Sequence, residues 1–193
     1  MQLNRERIIT AAVELIEREG VDAVSMRRIA TELGSGVMSL YNHVPSKAAL
    51  LDGVAERVIS SIDVTSVPGA CWQDEVRAQA RAFRQIARAY PRCTMVAVSR
   101  PATSTSEPTP VTRALATLRK AGFGEEDALR IVRAFVAYVV GSLLREVGVS
   151  PSVARQQLPG QAPHPSRDHD ADFEFGLGLL VRAVADVRSP ARH

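Results

Sequence analysis

Between Ser25 and Lys47 the chain gathers hydrogen-bond donors of the kinds that read nucleic acid: Arg27, Arg28, Ser39, Tyr41, Asn42, His43 and Lys47. Hydroxyl, amide and imidazole groups such as those of Ser39, Asn42 and His43 donate to phosphate oxygens and so fix a register along a duplex. Lys47 adds a charge-assisted phosphate contact at the start of a helix, beside free backbone N–H groups. An arginine fork can take both acceptors of a guanine edge. Arg27, near the start of its helix, is the best candidate for that; Arg28 could take the same role or hold a phosphate. Val37 and Met38 can offer only apolar contact, for instance to thymine methyls, and Tyr41 can pack on such a methyl or reach a phosphate through its hydroxyl. Other readings stand beside these: Tyr41 and His43 could close the core between neighbouring helices, and both arginines could be solvated.

The elements that would carry these groups are legible in the same stretch, SMRRIATELGSGVMSLYNHVPSK. A first short helix holds apolar Ile29, Ala30 and Leu33. Gly34 then supplies the positive φ that a helix end favours, and a second helix, Gly36 to His43, buries Leu40. Small Ala30, turn Gly34 and apolar Leu40 have the spacing of a helix-turn-helix, which lays its second helix in a DNA major groove. Upstream, Asn4 caps a helix whose stripe Ile8, Ala12, Leu15 and Ile16 ends at Gly20. Downstream, Pro45-Ser46 stops one helix and caps a longer one with Leu51, Val54, Val58 and Ile62 at helical spacing.

The rest of the chain also reads as helix. A fifth helix spans about Trp72 to Tyr90, with Val76, Ala80, Phe83, Ala87 and Tyr90 on its apolar face. Arg77, Arg81, Arg84 and Arg88 form the opposite face, read as solvated. A short helical piece follows Pro91. The segment PATSTSEPTP (101–110) is a loop by composition, and a helix at Val111–Ala121 stops at Gly122. Glu125, Glu126 and Asp127 open a long helix that is apolar on most sides, so part of it should face a partner subunit. Residues 148–169, rich in proline, predict a mobile loop with one short helix near Ser152–Gln157. A last helix covers Phe173 to Val187. No strand alternation and no internal repeat is present.

Charge does not single out a basic domain. The whole chain of 193 residues carries a formal +3, yet residues 1–53 hold 6 Lys/Arg against 7 Asp/Glu. A DNA reader here relies on local placement of donors. The longest charge-free apolar run, Ala134–Leu144, is too short to span a bilayer. Cys71 and Cys93 are not spaced for a metal, and reduced thiols fit a cytoplasmic protein. An apolar signal region is not found at the N-terminus. Enzyme readings are poor: the sequence has no glycine-rich phosphate loop, no G-x-S-x-G and no H-E-x-x-H. His164, Asp168, His169, Asp170 and Asp172 cluster locally, but a solvated loop explains them better than a metal site.

The first helix ending in Gly20, the segment MRRIATELG and the segment LYNHVPSKAALLDGVAE make the chain resemble the TetR family of bacterial transcriptional regulators. Trp72, KAGFGEEDALRIVRAFVAYVVG and FEFGLGLLV make the remainder similar to its tetracycline-repressor branch. The resemblance implies an all-α fold with a three-helix helix-turn-helix head (1–46) and a helical ligand-binding and dimerisation body (47–193), joined by the helix 47–63. It implies a homodimer that binds double-stranded palindromic DNA and releases it on binding a small-molecule effector. The tetracycline-repressor branch can bind a metal–drug complex, but no residue here carries that site over, so no metal and no cofactor are named. By the same resemblance Ser39, Tyr41, Asn42, His43 and Lys47 face the duplex. The effector region would offer Trp72, Phe83, Tyr90, Met95, Phe135 and Tyr138, although ordinary core explains each of them better than a ligand wall does. The competing function is a helical ligand- or partner-binding dimer without specific DNA recognition.

Overall fold

Side-chain caps decide where the N-terminal helices begin. Asn4 accepts from the Arg7 N–H, Ser25 from the Arg28 N–H and Ser46 from the Ala49 N–H, each satisfying one of the amides a helix start leaves unpaired. The computed structural model describes residues 3–63, 69–100, 109–147 and 168–188. Among them the chain is helical throughout: α1 (Arg5–Glu19), a 3-10 turn (Val21–Ala23), α2 (Met26–Glu32), α3 (Val37–Tyr41) and α4 (Lys47–Ser60) are followed by five more helices. These are α5 (Trp72–Ala89), α6 (Pro91–Ser99), α7 (Pro110–Lys120), α8 (Glu125–Glu146) and α9 (His169–Arg188). Gly34, at φ 61°, makes the α2–α3 turn. The loop expected at 101–110 and the loop and short helix expected at 148–169 fall mostly outside the described residues.

The described residues form two compact units. The first comprises residues up to Asp63 together with Ile86–Thr109, so it holds α1–α4 and α6. Ile8, Leu15 and Ile16 of α1, Ile29 of α2, Leu40 of α3, Leu50 and Val54 of α4 and Cys93 of α6 are all fully buried in its core. Gly53 lets α4 lie close to α1: a Cβ there would fall 2.6 Å from Ile9 Cδ1.

The second unit comprises Val64–Gln85 and the residues from Pro110 on, so it holds most of α5 with α7, α8 and α9. Its core joins Val76 and Ala80 of α5, Leu118 of α7, Phe135 and Val139 of α8, and Phe173, Leu177 and Val181 of α9. Acidic residues fill the first turn of α8, where the helix dipole favours them. Tyr138 of α8 donates its hydroxyl to the Phe173 carbonyl at 2.8 Å and stacks on the Phe173 ring, over the gap left by Gly176. Burial pushes the Tyr138 hydroxyl up, which keeps it protonated as the donor.

One expected surface is corrected. Arg84 is not on a solvated face of α5: its guanidinium is buried. It donates to Glu146 Oε1 at 2.7 Å, to the His169 carbonyl at 3.1 Å and to Asp170 Oδ1 at 2.8 Å. It also sits 4.4 Å from the Phe173 ring centroid. Arg81 and Arg88 are exposed and Arg77 is half-buried beside Asp74, so the arginine row is split by its partners. Tyr90, assigned to the apolar face, is exposed.

Candidate nucleic-acid interface and regulatory site

The helix-turn-helix is built by burying one side of two short helices. Met26, Ile29 and Ala30 of α2 and Leu40 of α3 point inward. What remains outside on α3 and its C-terminal turn is Met38, Ser39, Tyr41, Asn42 and His43, all exposed, with Val37 half-buried. Met38 is 77% and Tyr41 43% exposed, so Tyr41 does not close the core, and neither does His43. Lys47 is exposed at the start of α4. Met38, near the start of α3, can offer only apolar contact to whatever α3 meets.

The two adjacent arginines have different surroundings. Arg28 pairs with Glu19 at 2.8 Å and with Glu32 at 3.3 Å, and Arg18 meets the same two carboxylates at 3.1 Å and 2.7 Å. This four-charge cluster fastens α2 to the end of α1. Arg27 is exposed and makes no ion pair among the described residues, so its five donors are available.

The residues expected around an effector are divided between the units. Trp72, Phe83, Phe135 and Tyr138 belong to the second, and Tyr90 and Met95 to the first. Trp72 meets Phe123 edge-on at 5.3 Å, Phe83 is half-buried, and Phe135 is buried in the core.

A polar chain in the second unit escaped the reading of the sequence. Gln79 Nε2 donates to Thr117 Oγ1 at 3.4 Å, and the Thr117 hydroxyl donates to Glu75 Oε2 at 2.7 Å. Gln79 Oε1 is buried with no hydrogen-bond partner among the described residues. An acceptor left like this is costly, and a bound donor would satisfy it. A lone glutamine one helical turn from Val76 carries no sequence signal of its own.

No three His, Cys, Asp or Glu side chains are placed to hold a metal among the described residues. His164 lies outside them. Asp168 accepts from the Asp170 and Ala171 N–H groups at the start of α9, and Asp170 is engaged by Arg84. No helix of the described residues is long and apolar enough to cross a membrane.

A three-helix head of this kind, with a fully helical second unit, defines the class of helix-turn-helix regulators. Residues 8–54 match the family model for bacterial regulatory proteins of the TetR family, and residues 66–161 match that for the tetracyclin repressor-like C-terminal domain. The chain is 31% identical to the tetracycline repressor class A of transposon 1721 from Escherichia coli, over 100% of its own length and 95% of that protein. A crystal structure of a TetR variant from Acinetobacter baumannii in complex with minocycline superposes with a TM-score of 0.78 at 27% identity, covering 98% of this chain and 100% of that one. The Streptomyces coelicolor TetR family protein ActR, in complex with actinorhodin, gives 0.78 at 26% identity with coverage of 98% and 100%. The chain belongs to the TetR family of DNA-binding transcriptional regulators.

Proposed function

We propose that this chain is a repressor that reads a palindromic operator with Arg27 and α3 and leaves it when a small molecule binds in the second unit. The observation that carries the DNA reading is the contrast within α2 and α3. Leu40 is buried and Arg28 is held by acids, while Arg27, Met38, Ser39, Tyr41, Asn42, His43 and Lys47 stand exposed. In this reading Ser39, Asn42, His43 and Lys47 hold phosphates, Arg27 takes a guanine, and Val37, Met38 and Tyr41 meet thymine methyls. Arg28 then serves the head's own packing more than the duplex. Residues 1–46, with Lys47 at the start of the joining helix 47–63, hold the groups that touch DNA, and the rest of 47–193 those that take the effector and the second copy. No catalytic role is assigned to any residue.

The second copy would cover the free side of α9. Phe175, Leu179 and Val187 recur there at multiples of four residues, and Phe175 is 67% exposed. The effector would be a fused-ring compound bearing hydroxyl groups, the chemistry that minocycline and actinorhodin share. Trp72, Phe83 and Phe135 offer ring contacts and Gln79 an acceptor for a hydroxyl. Tyr90 and Met95 are weaker members of that set, being exposed on the other unit.

Selection from a random duplex library tests the DNA reading. Enrichment of one palindrome, lost in the Tyr41→Ala/Lys47→Ala double variant, supports it. An absence of enrichment at low salt, where phosphate contacts are strongest, overturns it in favour of a ligand- or partner-binding dimer.

A further inference from the structure

The N-terminus of α6 is capped by a side chain from α1. Tyr90, at the cap position of α6, supplies no side-chain hydrogen bond, and Pro91 at the first position removes one donor. The next two amides are taken by Glu17: Oε1 accepts from the Cys93 N–H at 2.7 Å and Oε2 from the Arg92 N–H at 3.4 Å. The contact is reciprocal, because Arg92 Nη1 donates to the Glu17 carbonyl at 3.1 Å, one of the oxygens that the end of α1 leaves unpaired. A carboxylate here is also on the favourable side of the helix dipole.

The other end of α6 is tied to α4. Arg100, which follows α6, pairs with Asp52 at 2.6 Å and donates to the Ala48 carbonyl at 3.2 Å. Ala48 adjoins Lys47 in the first turn of α4. Between the two clasps, Cys93, Thr94, Val96 and Ala97 are buried in the core of the first unit. α6 is therefore a wall of the unit that carries the DNA-facing groups.

We propose that Glu17 is a positioning residue for operator binding: by capping α6 it holds that helix across α1 and α4, and so fixes where Lys47 and the first turn of α4 stand. The inference rests on the operator reading for its functional half and on geometry alone for its structural half. Cys93 supplies a probe. It is fully buried, its thiol donates to the Val13 carbonyl, and burial pushes the thiol up, so it reacts only when α6 leaves the core. Cys71 is exposed and would be replaced by serine, leaving Cys93 as the single thiol.

In that Cys71→Ser protein two quantities would be read: the rate of Cys93 labelling by a disulfide reagent, and affinity for the selected palindrome. Glu17→Leu removes the acceptor at similar size. It should raise the labelling rate by about tenfold or more and weaken operator binding several-fold, the scale of one lost charge-assisted hydrogen bond. Glu17→Gln keeps one acceptor oxygen but loses the charge and the second acceptor, and should fall between the parent and Glu17→Leu in both. Glu14→Ala, an exposed acid on the same helix, controls for net charge and should leave labelling unchanged. Glu17→Asp keeps the charge but withdraws it by one methylene; it should shift both quantities in the same direction as Glu17→Leu, and takes its place if the leucine variant does not fold. Unchanged labelling in Glu17→Leu, or faster labelling with unchanged operator affinity, overturns the proposal. If the parent itself binds no duplex, the operator reading fails and the labelling arm still decides whether Glu17 holds α6.

Discussion

Arg28 Nη2 donates to Glu19 Oε1 at 2.8 Å, and that bond separates the roles of two adjacent arginines. Either residue type and position suits a guanine edge. An arginine already satisfied by Glu19 and Glu32 must give up those pairs to reach a base, whereas Arg27 gives up only water. Arg27→Ala should relax preference at one base pair of each half-site by about 1–3 kcal/mol. Arg28→Ala should lower affinity more evenly across sequences and leave that preference in place. Competition binding against single-base operator variants reads both; loss of the same base preference in both variants would refute the division.

Arg84 and Glu146 form a pair largely removed from water: their side chains are 9% and 8% exposed. Arg84→Ala withdraws one cation from buried Glu146 and should be destabilising, by up to about 3–5 kcal/mol. Arg84→Met/Glu146→Leu replaces the pair by apolar volume and should recover most of that. Urea unfolding followed by the fluorescence of Trp72, which sits in the same unit, measures it. Equal losses in the single and the double variant would mean that the pair is not what the site requires.

Arg81 and Glu174 form a two-pronged pair at 2.8 Å and 2.7 Å on the surface of the same unit. The hydrogen bond from Arg81 holds the Glu174 carboxyl below the usual carboxylate range. A carboxyl depressed in the folded protein adds stability above its unfolded pKa and loses it as pH falls through the folded value. Both side chains are about half exposed, so the gain is only about 0.2–1 kcal/mol. Glu174→Gln should thus lower the unfolding midpoint slightly at pH 7, and the difference should vanish once the pH is low enough to protonate Glu174 in the folded protein as well as in the unfolded chain. A difference that persists at that acidity would assign the effect to packing.

Local signals are legible in the sequence and distant ones are not. Asn4, Ser25 and Ser46 announce helix starts because a cap is a bond over three residues, and Gly34 announces a turn because its φ suits glycine above other residues. The exposed face of α3 follows from placing Leu40 inside. Arg84 misleads because helical spacing of four arginines looks like a solvated stripe, and its acceptors Glu146 and Asp170 lie 62 and 86 positions away. The Glu17 cap on α6 spans 76 positions, and nothing near either end signals it. Gln79 is silent for the same reason: the burial that orphans its oxygen is a property of α5 and α7 together.

Gly53 offers a test of how tightly α4 is seated on α1. In an open helix, glycine to alanine gains up to about 1 kcal/mol. Here the new Cβ would lie 2.6 Å from Ile9 Cδ1 and 3.0 Å from Ile9 Cγ1, and Ile9 is buried, so it has little room to give way. Overpacking of this kind costs about 1–3 kcal/mol, enough to cancel or reverse the helix gain. Gly53→Ala should therefore leave the thermal midpoint of the protein unchanged or lower. Ile9→Val removes the nearest carbon and alone costs about 0.5–1.5 kcal/mol. In combination the two should be less damaging than their sum, because the valine makes the space the alanine needs. Strict additivity, or a clear stabilisation by Gly53→Ala alone, would show that α1 and α4 are not in the close register described.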